Sequence, residues 1–209
     1  SRLLLLTWKA EWAVLRDGSI ASELLVTMGA GAEGQPTRRG PKHAPLRLPV
    51  VSRAAEHLVM GFLMRRNVLA YQAPPNHEGY DLICVHPDPR HAPVIETRGQ
   101  VRVQVKSRFQ TDCDQTVPLR AASLDAFDFL TVVFLNIGAF YHGRVGADGA
   151  EATVFYTLPQ DFVRAHHVAD PRWEGLRLRG LGAALAPFRD ELGFELIAQA
   201  LGVSKPLRS

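Results

Sequence analysis

Two short stretches, Asp81-Leu-Ile-Cys-Val85 and Val101-Arg-Val-Gln-Val-Lys106, decide how this chain folds. In the second stretch apolar and polar residues alternate strictly, which is the period-two pattern of a strand with one buried face. Its valines are predicted to face a core, and its polar residues to face away from it. Gln104 and Lys106 are then neighbours on one face, about 7 Å apart along the strand.

Asp81 stands at the start of an otherwise apolar strand. A charged residue is unfavourable there unless it is exposed at the strand end, paired, or bound to a cation. A turn-capping aspartate accounts for Asp81 alone, and solvent-facing polar residues account for Gln104 and Lys106 alone. If the two strands are adjacent, however, a carboxylate, an amide oxygen and a lysine meet at one point. Such a group suits a magnesium-assisted attack on a phosphodiester.

Length and composition predict one main domain. The chain has 209 residues, of which 46% are hydrophobic, enough for one sizeable core. Residues 36–49 have the proline, glycine and arginine content of an extended linker. We therefore expect a poorly defined N-terminal segment and linker over residues 1–49, and a compact domain with a C-terminal helical extension over residues 50–209.

The charge of the chain is mildly basic, with a formal net charge of +3. Between Arg38 and Arg66 seven basic residues, Arg53 among them, stand against Glu56 alone. This cluster is either a phosphate-contacting surface or a solvated face and linker, and the sequence leaves both open. The expected partner is DNA, and a homodimer is left open.

Cysteine content and hydropathy point to a cytoplasmic protein. The two cysteines, Cys84 and Cys113, have no spacing typical of a disulfide framework or a zinc site, so a reducing compartment is the default. The apolar run from Leu3 to Leu6 is too short for a membrane span, and no association with membranes is expected.

A helix is predicted from Ser52 to about Asn67, because apolar residues recur there at helical spacing. Three strands follow it, and a buried strand is predicted at 129–136. A strand pair at 139–145 and 152–158 and a closing helix over 185–201, interrupted by Gly193, are also predicted. Glu56 lies at the border of the apolar stripe of the helix, where its carboxylate could reach over the sheet edge. A solvated first-turn glutamate, favoured by the helix dipole, is the alternative interpretation of Glu56.

These residues resemble the pattern of the PD-(D/E)xK nuclease superfamily, particularly its Mrr-like and Holliday-junction-resolvase-like branches. The likeness covers about residues 52–136. In those families a glutamate-bearing helix precedes a β-meander with an acid on its second strand and an acid-x-lysine or glutamine-x-lysine triplet on its third. The matching residues here are Glu56, Asp81, and Gln104 with Lys106. The resemblance implies an α/β restriction-endonuclease-like fold, with a mixed central β-sheet flanked by helices.

The resemblance also implies a mechanism. Asp81, the Gln104 side chain and the Val105 carbonyl would hold Mg²⁺ or Mn²⁺, and Glu56 would bind a metal-linked water or a second cation. Lys106 would neutralise the developing charge or orient the attacking water. Most relatives have an acid at the position of Gln104, and glutamine removes one negative charge from the site.

Residues outside this group offer further nucleic-acid contacts. Ser107 and Arg108 follow Lys106 directly and could touch the backbone of DNA, as could Arg53, although a solvated strand end explains the first two equally well. Trp173 with its neighbouring arginines could stack on and grip nucleic acid, or it could be a packing residue.

The function expected is that of a metal-dependent endonuclease acting on DNA. The alternative is a non-catalytic nucleic-acid-binding or interaction module that retains the nuclease fold. Glutamine at position 104 would then mark the loss of metal affinity.

Overall fold

The computed structural model describes residues 49–74, 77–111, 115–137 and 151–203. The predicted N-terminal segment therefore lies outside the described residues except at its last position. A strand predicted at 139–145 also lies outside them. Within the described ranges, no helix combines the length and the apolar character needed to cross a bilayer.

Helices and strands alternate irregularly along the chain. In order they are α1 (Pro49–Met64), β1 (Leu69–Gln72), β2 (Leu82–Val85), β3 (Gln100–Arg108), β4 (Thr116–Pro118), β5 (Phe129–Phe134), β6 (Val154–Pro159), α2 (Gln160–His166), β7 (His167–Asp170), β8 (Trp173–Arg177), α3 (Gly182–Leu185) and α4 (Asp190–Ala200). Single 3₁₀ turns occur at Ala121–Ser123 and Ala186–Phe188.

The larger of two sheets contains five strands in the order β1-β2-β3-β5-β6. The first three strands form an antiparallel meander, β3 runs parallel to β5, and β6 returns antiparallel to β5. Strand β3 is thus central, with β2 on one side and β5 on the other. This mixed sheet with flanking helices confirms the predicted fold class.

Each face of the large sheet carries its own hydrophobic core. On one face Val101, Val103 and Val105 of β3 pack with α1 and α4, as the alternation of β3 predicts. On the other face Leu130 and Val132 of β5 pack with residues of β4, β8 and α2. The face predicted to be solvated is therefore largely covered, and its polar residues lie at the border of this second core.

Strand β5 is buried along its whole length, which confirms the prediction from its continuous apolar run. Its single polar residue, Thr131, is fully buried and lies 3.2 Å, oxygen to oxygen, from the Thr157 hydroxyl on β6. This hydrogen bond satisfies both hydroxyls, which removes the cost of burying them.

Two helix boundaries differ from the predictions. Helix α1 begins at Pro49 rather than at Ser52, since proline suits a first helical turn. The C-terminal helical pattern is not interrupted at Gly193, which lies inside α4, but at Arg189, between a 3₁₀ turn that contains Pro187 and the start of α4. Gly193 instead permits close packing, because a Cβ there would collide with the Phe188 carbonyl.

A second, three-stranded antiparallel sheet has the order β4-β8-β7 and was not predicted. Its strands are short, and β8 contains Gly175 at φ +149°. A side chain at Gly175 would collide with the Val117 carbonyl of β4, so glycine is needed for the two strands to approach. This small sheet lies beside the polar end of β3 and forms one wall of the site described below.

Asp128 ties β3 to the segment leading into β5. Its carboxylate accepts hydrogen bonds from the Arg102 backbone N–H at 2.7 Å and from the Arg102 guanidinium at 3.2 Å, and it also pairs with Arg98. Burial by itself would raise the pKa of Asp128, but the hydrogen bonds and charge of Arg102 and the charge of Arg98 outweigh burial, so the pKa is lowered.

Because the folded state holds the pKa of Asp128 below its unfolded value, its ionisation stabilises the fold above the unfolded pKa. That stabilisation is lost as the pH falls through the folded pKa. We expect Asp128→Asn to reduce the free energy of unfolding at neutral pH by roughly 1–3 kcal/mol, and by less in acid. Urea unfolding measured across the acid range tests this expectation.

The matched control is Asp125→Asn, which breaks an exposed pair with Arg164. Exposed pairs of this kind contribute little to stability. Equal effects of the two substitutions at neutral pH would contradict a structural role for Asp128.

Candidate active site

Asp81 is held against β3 by its backbone and its side chain. Its N–H donates to the Val103 carbonyl at 2.9 Å. Its carboxylate Oδ2 accepts the Val105 N–H at 2.7 Å and the Gln104 Nε2 at 3.2 Å. The carboxylate thus replaces a backbone acceptor at the point where β2 begins, which fixes its position relative to β3.

Gln104 and Lys106 lie on the same face of β3 as Asp81. Their register partners on β5 are Leu130 and Val132, which belong to the second core. Gln104 is itself buried, with 8% of its surface exposed, although a solvated side chain was predicted there. The predicted contact between Asp81 and Gln104 is therefore present, but Gln104 is more buried than the alternation of residues in β3 predicts.

Lys106 is partly buried and has no hydrogen-bond or ion-pair partner among the residues that the structure describes. Burial lowers the pKa of Lys106 below its ordinary value, an effect that the charge of Asp81 opposes and that of Arg108 reinforces. An ammonium group in such a place is costly unless an anion approaches it. Lys106 is thus suited to bind an anionic group from outside the chain.

A cleft of about 980 Å³ opens between the polar end of β3 and the small sheet. Gln104 and Lys106 contribute one wall, and the 3₁₀ turn after β4 and the β7–β8 turn contribute the other. Its charged lining residues are Glu78, Lys106, Arg120, Asp170, Arg172 and Glu174. Asp81 is not itself part of this wall and reaches the cleft through its contact with Gln104.

Glu56 does not join this group directly. Its carboxylate accepts a hydrogen bond from Gln72 Nε2 at 2.9 Å and lies 3.5 Å from the Arg53 guanidinium. Helix α1 covers the face of the sheet opposite to that of Gln104 and Lys106. Glu56 nevertheless reaches the sheet edge, as predicted, and the residue after Gln72 donates its N–H to the Asp81 carbonyl at 2.8 Å.

The three residues predicted to contact nucleic acid differ in their exposure and in their hydrogen bonds. Arg108 donates from Nε to the Thr116 carbonyl at 2.7 Å, so its guanidinium joins β3 to the small sheet. Ser107 is partly buried next to it. Arg53 is well exposed on α1. Contact of these three residues with DNA remains a prediction.

The oxygen atoms around Asp81 are chemically compatible with a hard divalent cation. Within the described residues, no hydrogen bond is made to Asp81 Oδ1 or to Gln104 Oε1, and both are oxygens of the kind that Mg²⁺ prefers. The Val105 carbonyl points to the same side of β3 as the Val105 N–H that Asp81 accepts. No group of three or more His, Cys, Asp or Glu side chains arranged for a metal ion occurs in the described ranges.

Several cleft residues were missed or left open by the sequence patterns. Glu78 and Arg120 line the cleft, and Trp173 does so from the β7–β8 turn. Glu78 precedes Asp81 by three residues in the same turn, and this spacing could have placed Glu78 near the site. The position of Arg120 and Trp173 depends on the small sheet, whose strands of three to five residues leave too little pattern to be recognised.

If Lys106 has an unpaired, partly buried charge, removing the charge should not destabilise the protein. We expect Lys106→Met to leave the melting temperature unchanged or raise it, because methionine retains the apolar stem without the ammonium group. Calorimetry at neutral pH measures this, with the exposed cleft residue Arg120→Met as control. A clear loss of stability in the Lys106 variant alone would mean that its ammonium stabilises the fold.

Comparisons with known proteins leave the family of this chain open. No protein-family model and no curated protein matches the sequence. One solved structure with a detectable likeness is that of a bacterial homing endonuclease, I-Ssp6803I, at 17% identity and a TM-score of 0.42, covering 73% of this chain and 92% of that one. Similarity at that level is too low to carry an argument about this chain.

Proposed function

We propose that this chain is a metal-dependent nuclease that hydrolyses phosphodiester bonds in DNA. The observation that carries the proposal is the contact between Asp81 and Gln104, next to Lys106, which lines the cleft and has no hydrogen-bond or ion-pair partner within the described ranges. The resemblance to the PD-(D/E)xK pattern supports the same conclusion, since it assigns roles to the same three residues.

Lys106 would act on the scissile phosphate directly. Its ammonium group can neutralise the charge that grows on the phosphorus centre, or it can orient the attacking water. Burial strengthens this interaction, because less water screens the charge inside the cleft. The same burial lowers the pKa of Lys106 and so makes its proton easier to release.

Asp81, Gln104 and the Val105 carbonyl would hold Mg²⁺ or Mn²⁺, and Glu56 would act through a water or a second cation from the sheet edge. When bound, the cation would polarise a phosphate oxygen and acidify the attacking water. The Val105 N–H that bonds Asp81 Oδ2 keeps this carboxylate in place, so Oδ1 remains available as a ligand.

A binding module without catalysis is the second candidate, and one observation favours it. The amide of Gln104 donates to Asp81 Oδ2 and thereby stabilises this carboxylate oxygen without a cation. Two acids at this distance would repel each other and favour a bound cation, whereas an acid and an amide do not. The two candidates differ in one property, which is metal-dependent cleavage.

The test is nicking of supercoiled plasmid and of linear and branched DNA with Mg²⁺ or Mn²⁺. We expect cleavage by the native chain, and a loss of about 100-fold or more in Asp81→Asn and in Lys106→Met. The exposed-site variant Asp125→Asn, outside the cleft, should cleave at the native rate.

DNA binding by the same preparations, measured without divalent cations, separates the candidates. Binding without cleavage of any substrate would establish the binding module. Native activity in both site variants would remove Asp81 and Lys106 from the active site.

A further inference from the structure

Trp173 belongs to neither hydrophobic core. It opens β8 directly after the β7–β8 turn, is partly exposed, and lines the cleft that Gln104 and Lys106 also line. The residues that form the two cores do not include it. Among the described residues, the two cores therefore do not account for its indole, although core packing is the ordinary interpretation of a tryptophan.

The β7–β8 turn holds Trp173 in a fixed position. Asp170 Oδ1 accepts the N–H groups of Arg172 and Trp173 at 2.9 and 3.0 Å, which closes the turn. Asp170 Oδ2 lies 3.4 Å from the Arg177 guanidinium, and that guanidinium lies over the indole at 5.1 Å from its centroid. An aromatic ring supported in this way keeps its orientation before any ligand binds.

The acids on this side of the cleft are engaged within the protein, whereas its cations are not. Asp170 closes the turn, and Glu174 Oε2 accepts the Ala121 N–H at 2.9 Å. Among the described residues, Arg120 and Arg172 have no ion-pair partner. The wall formed by the small sheet thus offers an indole ring flanked by two arginines that can contact phosphates.

We infer that Trp173 stacks on an unpaired base of the nucleic acid that the cleft receives, while Arg120 and Arg172 contact its backbone. This inference rests on the proposed function, and it narrows the substrate class to single-stranded DNA or to duplexes with an unpaired base. Bases inside an intact duplex have their faces stacked on one another, so an indole that lines the cleft can stack only on a base that has left the stack.

Fluorescence of Trp173 tests the inference directly. The chain contains three tryptophans, Trp8, Trp12 and Trp173, so the variant with Trp8→Phe and Trp12→Phe reports on Trp173 alone. Without divalent cations, we expect quenching by a single-stranded oligonucleotide and by a duplex with a bulged base, and little quenching by the fully paired duplex.

Affinities measured in the otherwise native chain provide a second, independent readout. Trp173→Ala should weaken binding of the bulged duplex by about tenfold while leaving the paired duplex unchanged, and Trp173→Phe should retain most of the affinity. Tyr71→Ala, an exposed aromatic residue on β1 outside the cleft, is the matched control and should change neither.

Failure of this inference can be told apart from failure of the proposed nuclease. Equal quenching by paired and bulged DNA, or equal affinities in Trp173→Ala and the native chain, would overturn the stacking role even if the protein cleaves DNA. Selective quenching by unpaired DNA, combined with no cleavage, would support the stacking role and reject the nuclease.

Discussion

One carboxylate oxygen holds the candidate site together. Asp81 Oδ2 accepts a backbone N–H and a side-chain amide from two consecutive residues of β3, and the Asp81 N–H bonds to the same strand. These bonds fix where β2 starts relative to β3, and they place the carboxylate beside Lys106. The geometry of the site is thus a consequence of sheet pairing, because the hydrogen bonds that position Asp81 all end on β3.

The central position of β3 explains why the site is enclosed. Strands β2 and β5 flank it, α1 and α4 cover one of its faces, and the small sheet closes much of the other. Gln104 and Lys106 are therefore polar residues at the border of a core, a placement that costs stability and that proteins usually retain for function. Burial also lowers the pKa of Lys106, and its charge is suited to bind an anionic ligand.

Sequence patterns predicted the large sheet well and the small one not at all. The strict alternation at 101–106 and the apolar run at 129–134 gave β3 and β5, because each is long and has a clear period. The contact of Asp81 with Gln104 followed from β2 and β3 being neighbours. Strands β4, β7 and β8 are short, and the approach of β8 to β4 depends on Gly175. Their positions could therefore not be predicted, and neither could the cleft wall that carries Arg120 and Trp173. Glu56 shows a further limit, since a helical wheel gives the direction of a side chain but not the face of the sheet that its helix covers.

The proposed nuclease requires a divalent cation at Asp81, next to β3. Paramagnetic Mn²⁺ added in small amounts to the isotope-labelled chain measures this directly, because it broadens the amide resonances nearest to where it binds. We expect the amides of Asp81, Gln104 and Val105 to broaden first, and Asp81→Asn to abolish this selectivity. Broadening centred on the other cleft acids, Asp170 and Glu174, or no selective broadening in the native chain, would contradict it.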